Sequence, residues 1–139
     1  MKNLKLFYGI SIIIMILSSC SSDDDDSFNF VIGEWRAIEM SENNESVELP
    51  VCLQHQYILF KSNNEFSGGR IESTNYPDEC YTISFSSIEW EYLGNNKYRI
   101  GDRNEQGKIY TIIKVGNNIS MLNPNGITKI IYEPFESGF

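Results

Sequence analysis

Ile88-Glu89-Trp90-Glu91-Tyr92-Leu93-Gly94-Asn95-Asn96-Lys97-Tyr98-Arg99-Ile100 is the stretch on which the fold turns. Successive side chains of an extended strand point to opposite faces, so Ile88, Trp90 and Tyr92 share one side and Glu89 and Glu91 the other. Lys97 to Ile100 repeats the alternation, with Tyr98 and Ile100 on the apolar side. Between the two runs, Gly94, Asn95 and Asn96 tolerate the positive φ of a tight turn. The reading is an antiparallel hairpin with one face turned inward.

The same pattern extends in both directions. Runs rich in Ile, Val, Tyr, Phe and Thr predict strands at 32–40, 54–61, 65–73, 81–85, 88–93, 97–101, 108–115, 119–122 and 127–135. Turn chemistry separates them at Ser62-Asn63-Asn64, Gly116-Asn117-Asn118 and Asn123-Pro124-Asn125-Gly126. No stretch after residue 27 carries sustained helical periodicity. Gly68-Gly69 predicts a bulge or bend in the third strand. In 108–115, Ile109, Thr111, Ile113 and Val115 oppose Lys108, Tyr110, Ile112 and Lys114, a less one-sided pattern that predicts partial covering of the outer face. The predicted class is all-β, an antiparallel up-and-down meander closing into a barrel of about eight strands.

A chain of 139 residues that is 41% hydrophobic and 13% aromatic supports one core and one domain. Its formal charge of −8 argues against nucleic acid, whose binding relies on clustered Lys and Arg. Lys2 and Lys5 precede an apolar run from Leu6 to Leu17, the layout of a secretory signal peptide. Twelve residues rise only about 18 Å as a helix, short of a hydrocarbon core of roughly 30 Å.

Leu17-Ser18-Ser19-Cys20 resembles the lipobox of bacterial lipoproteins. The resemblance implies that residues 1–19 are removed and that Cys20 becomes a lipidated N-terminus holding the protein at a membrane. Residues 20–27 then form the lipidated Cys and an acidic tether, because Ser21-Ser22-Asp23-Asp24-Asp25-Asp26-Ser27 has nothing to bury. The run is similar to the surface-export signal of Bacteroidetes-type lipoproteins, which implies an outer-membrane, surface-exposed location; a plain spacer with a periplasmic placement is the alternative. Residues 28–139 are the barrel domain.

Ile32-Gly33-Glu34-Trp35 looks like the Gly-x-Trp motif that opens the first lipocalin strand. Cys52, the Tyr57-Ile58-Leu59-Phe60-Lys61 strand, Glu65-Phe66 after a polar turn, and Cys80 ahead of Ile88-Glu89-Trp90 resemble the lipocalin-like domains of Bacteroidetes lipoproteins. Lipocalins place an Arg near the barrel end against the motif Trp, whereas the last strand here offers only Lys129. The resemblance implies a binding module for a small apolar or amphipathic ligand or a glycan. Trp35, Phe60, Phe66, Trp90 and Tyr98 are the candidate lining, since aromatic faces bury large areas and stack on ligand rings. The same five residues would equally fill the core of a small barrel. A second reading is a structural or adaptor subunit docking on another envelope protein through a strand edge or apolar patch, with no small-molecule ligand.

With Cys20 lipidated, Cys52 and Cys80 remain as an even pair in an oxidising compartment, which predicts a disulfide. The alternative is zinc held by Cys52, His55 and Cys80 with Asp78 or Glu79, although the spacing of structural zinc motifs is missing. His55 is the one histidine on which a nucleophile triad could be built. Glu89 and Glu91, about 7 Å apart on one strand face, approach glycosidase spacing but fall on the polar side. Gly68-Gly69-Arg70 lacks the length of a phosphate loop. No catalytic residue, metal or cofactor is expected, and the protein is read as a non-enzyme.

Overall fold

The computed structural model describes residues 29–71, 80, 88–102 and 106–136. A single 3-10 turn, Asn29–Val31, leads into β1 (Gly33–Glu42), and β2 (Glu45–Val47) folds back on it. A short helix α1 (Val51–Gln54) follows, then β3 (Gln56–Phe60), β4 (Phe66–Arg70), β5 (Ile88–Gly94), β6 (Lys97–Asp102), β7 (Lys108–Val115), β8 (Asn118–Leu122) and β9 (Thr128–Pro134).

Every strand pairs antiparallel, in the spatial order β4-β3-β1-β9-β8-β7-β6-β5, with β2 attached to β1 beside this path. From β5 to β9 chain neighbours are sheet neighbours, β3 pairs both β1 and β4, and β9 returns to pair β1. A bridge between Glu65 and Glu89 joins the two ends of the order, and Trp90 N–H donates to the Asn64 carbonyl at 2.8 Å across the same gap. The all-β up-and-down barrel of eight strands stands as the sequence predicts. The turn residues adopt the predicted geometry: Asn64, Asn95 and Asn96 all have positive φ.

Hairpin register places the inward set. Trp90 faces Ile100 and Tyr92 faces Tyr98 across β5 and β6, while Glu91 faces Arg99 on the outside. Trp35 pairs Ile58, Ile112 pairs Met121, and Met121 pairs Ile130, so one continuous apolar interior forms. Phe60, Tyr98, Ile112, Ile119 and Val31 are fully buried in it.

Several expectations are corrected. The β3–β4 ladder runs without a bulge through Gly68 and Gly69. The Tyr57 ring lies over Gly69, where an added Cβ would come within 2.4 Å of it, so the glycine makes room for an aromatic ring instead of bending the strand. The register shifts fall elsewhere, at Ala37/Glu39 in β1 and Tyr92/Gly94 in β5. The outer face of β7 is not covered: Ile109, Ile113 and Val115 are exposed while Ile112 is buried. Lys129 pairs with Ser41, far along β1 from Trp35, and does not take the place of the lipocalin Arg. The predicted strand at 81–85, and the leader, Cys20 and tether, lie outside the described residues.

Candidate functional site

The site is built where the aromatic residues of five strands meet. Both indoles are fixed by backbone carbonyls. Trp35 Nε1–H donates to Val31 O at 2.7 Å, which holds the 3-10 turn against the barrel, and Trp90 Nε1–H donates to Lys61 O at 2.9 Å. Phe60 stands edge-on to Phe66, with centroids 4.9 Å apart, and to Trp90 at 5.8 Å. Trp90 continues to Tyr98 at 6.2 Å, and Tyr98 to Tyr92 at 5.1 Å. Offset and edge-on contacts at these separations are the favourable arrangements for rings carrying a quadrupole. All five sequence-predicted residues, Trp35, Phe60, Phe66, Trp90 and Tyr98, are therefore gathered in one buried cluster.

Sequence reasoning left out the tyrosines around this cluster. Register sets Tyr92, Tyr98 and Tyr110 in one row across β5, β6 and β7, all pointing inward. Tyr132 on β9 faces the same interior and is buried. Burial in the apolar interior pushes the phenol pKa of Tyr98, Tyr110 and Tyr132 upward, because ionisation would leave an anion without water; Tyr92 adds to the rise at Tyr98 and Tyr110 to that at Tyr132. The tyrosines thus stay neutral hydrogen-bond donors at physiological pH.

Two buried side-chain oxygens, Ser41 Oγ and the Tyr98 hydroxyl, have no hydrogen-bond partner among the described residues, and of these Tyr98 lies in the aromatic cluster. Its side chain is 0% exposed, and its hydroxyl has no hydrogen-bond partner among the described residues. Phe30, half-buried on the 3-10 turn, stands edge-on over the Tyr98 ring at 6.3 Å. A donor and acceptor of this kind, enclosed by aromatic rings, is a polar anchor point in the packed apolar interior.

Two depressions mark the outer wall. One of about 330 Å³ lies on β5 and β6, lined by Asn64, Glu89, Glu91, Arg99 and Asp102. There Glu91 is ion-paired with Arg99, so the Glu89–Glu91 pair sits on the solvated face where alternation placed it. The floor is formed by Gly101 and Gly107, whose backbones cross so closely that a Cβ on Gly101 would meet Gly107 Cα at 2.3 Å. The other, of about 370 Å³, lies on β7, β8 and β9 and is lined by Thr111, Ile113, Ser120, Leu122, Ile127 and Lys129, with Asn43 and Asn44 at its margin.

At the far side of the barrel Cys52 of α1 is bonded to Cys80. Both thiols are consumed, which removes them as metal ligands and decides between the two cysteine readings. His55 closes α1, its carbonyl accepting the Ile71 amide at 3.0 Å. Asp78 and Glu79 lie outside the described residues. Among the described residues no group of three or more His, Cys, Asp or Glu side chains could hold a metal ion.

The profile of the lipocalin-like domain matches residues 31–120, from the buried Val31 of the 3-10 turn to Ser120 in β8. No curated protein and no solved structure matches the chain. The matched segment covers well over half of the 139 residues and contains the Gly-x-Trp opening, the disulfide and the aromatic cluster. This chain belongs to the lipocalin-like domain family.

Proposed function

We propose that the protein is a lipid-anchored, extracytoplasmic, non-enzymatic binding module whose barrel takes a small apolar or amphipathic ligand carrying a hydrogen-bond acceptor. The anchor reading rests on the Leu17-Ser18-Ser19-Cys20 motif and the leader before it. The lipocalin-like barrel is the architecture of a ligand-binding domain. One observation carries the ligand class: the Tyr98 hydroxyl, fully buried among Phe30, Trp90 and Tyr92 and unpartnered among the described residues. A buried hydroxyl in want of a partner costs about 1–3 kcal/mol, which an acceptor on a ligand would recover. The Phe30 ring stands where a ligand ring would stack on Tyr98, and it belongs to a three-residue turn at the barrel end. Ligand entry displaces that ring.

The test uses 11-(dansylamino)undecanoic acid, which offers a carboxylate acceptor on an apolar chain, with native mass spectrometry of the purified protein alongside. Saturable binding with a blue-shifted emission is expected, weakened about five-fold in Tyr98→Phe by the loss of one hydrogen bond. Absence of saturable binding, or equal affinity in the two proteins, defeats the assignment. Acylated Cys20 in the mass spectrum of the membrane fraction checks the anchor, and protease shaving of whole cells checks surface exposure. A second reading, the adaptor subunit without a small ligand, draws on the exposed Ile109, Ile113, Val115 and Ile127 of the outer wall. Capture of one envelope protein by the wild type but not by Ile113→Asp, with no ligand bound, would favour it.

A further inference from the structure

The chain holds 19 Asp and Glu residues, yet from Gln106 to Tyr132 there is not one. The same 27 positions carry Lys108, Lys114 and Lys129, so a protein of net charge −8 contains a contiguous segment of +3. The fold makes that segment three adjacent strands, β7, β8 and β9, and so one wall of the barrel. Register then shows what the wall presents outward. Lys97, Thr111, Leu122 and Lys129 form one row across β6 to β9, and Ile113, Ser120 and Ile131 form the next. Ile109, Ile113, Val115 and Ile127 are 42–48% exposed. Lys108 and Lys114, paired with the buried Ile100 and Ile119, belong to the inward face of β7 and reach solvent only at its two ends, on the barrel rims.

Three basic residues elsewhere are engaged. Arg36 pairs with Glu133, Lys61 with Glu65 at 2.8 Å, and Arg99 with Glu91. Lys97, Lys108, Lys114 and Lys129 have no ion pair among the described residues; Lys97 and Lys129 stand in the outward row of this wall, and Lys108 and Lys114 at the rims that bound it. Exposed aliphatic side chains flanked by unpaired lysines, on a chain of net charge −8, are the pattern of a surface that meets anionic headgroups and buries aliphatic side chains between them.

We infer that the outer wall of β7, β8 and β9 docks on an anionic lipid surface. The described chain begins only nine residues after Cys20, a reach of at most roughly 30 Å, so an acyl anchor there would hold the wall within contact distance of the bilayer. Docking orients the barrel side-on to the membrane. The inference draws on the anchor reading for local concentration alone, since the wall itself supplies the charge and apolar contacts.

The test uses the full chain with vesicles of phosphatidylcholine carrying brominated acyl chains, with and without about 30% phosphatidylglycerol to set the anionic surface charge. Ile113→Trp places a reporter on the wall, and Leu59→Trp places one on β3, across the barrel. The expected result is quenching of Ile113→Trp in the anionic vesicles alone, with Leu59→Trp unchanged. Adding Lys97→Gln, Lys114→Gln or Lys129→Gln to the reporter should shift the docked fraction about five-fold per lysine. Flotation reports acylation separately, so a protein that does not float can still show quenching. Equal emission of Ile113→Trp in both vesicle types, or quenching of both reporters alike, overturns the inference. Cross-linking of position 113 to an acidic protein in cells, without quenching, would give the wall to a protein partner and also overturn it.

Discussion

Replacing Tyr98 by Phe should make the ligand-free protein more stable, an unusual result for a change at a fully buried position. The ring is retained, so the contacts with Phe30, Trp90 and Tyr92 persist. What is removed is one oxygen that was taken from water on folding and given no partner among the described residues. Leaving such a group unmade costs about 1–3 kcal/mol, and part of that is recovered when the hydroxyl goes. A gain of about 1–2 kcal/mol corresponds to a rise in Tm of roughly 4–8 °C for a domain of this size. Urea unfolding of oxidised, delipidated protein at neutral pH is the assay, with the midpoint moving up at constant m. Tyr98→Ala serves as the contrast, because it leaves a ring-sized void and should lose about 3–5 kcal/mol. A Tyr98→Phe protein that is less stable than wild type by about 1 kcal/mol or more would refute the reasoning, since only a satisfied hydroxyl can be missed to that extent.

Gly101→Ala should destabilise by about 2–3 kcal/mol in the same assay, because the new methyl meets Gly107 Cα at 2.3 Å and only backbone movement relieves it. Removing the Cys52–Cys80 bond, which closes a loop of 28 residues, should cost about 3–4 kcal/mol, seen as a lower urea midpoint after reduction or in the double Ala variant. Alkaline pH should destabilise the barrel. The folded pKa values of Tyr98, Tyr110 and Tyr132 are raised above the ordinary phenol value near 10, so the folded state holds protons that the unfolded chain releases. Their contribution is fully present below pH 10 and falls as pH rises beyond it; Tyr132→Phe should flatten that fall in a Tm–pH series.

The hairpin from Ile88 to Ile100 was legible because each of its apolar residues alternates with a charged or turn-forming one, leaving a single consistent register. Strand β7 was not, because Ile109 and Ile113 on one face are as apolar as Tyr110 and Ile112 on the other. Only the lateral pairing of Ile112 with Met121 decides which face is buried. The short elements β2 and α1 were missed for a different reason. Asn43 and Asn44 both take positive φ and fold three residues back on β1, and α1 is one turn following Pro50, too short for any periodicity to show. The five aromatic residues of the site could be named from alternation alone. The unpartnered state of the Tyr98 hydroxyl could not, because it depends on which groups separate elements of the chain bring to one atom.

The barrel is a ring of unequal joints. Parting β1 from β9 would break a ladder of seven residue pairs, and parting β8 from β9 one of four. Between β4 and β5, the described residues are joined by the Glu65–Glu89 bridge and by the Trp90 amide donating to Asn64, with the Trp90 indole donating to Lys61 beside it. Among the described residues, Trp90 therefore anchors this seam through both its amide and its indole. Hydrogen exchange at the Trp90 amide should be faster than at Ile112 or Ile130, because local opening is cheapest where the fewest bonds must break. The residue that closes the ring is also packed on Phe60 and Tyr98, so a molecule lodged against that aromatic cluster would tighten the seam. A lightly paired joint of the circle and the aromatic cluster share a side chain, and exchange at that amide would report the occupancy of the cluster.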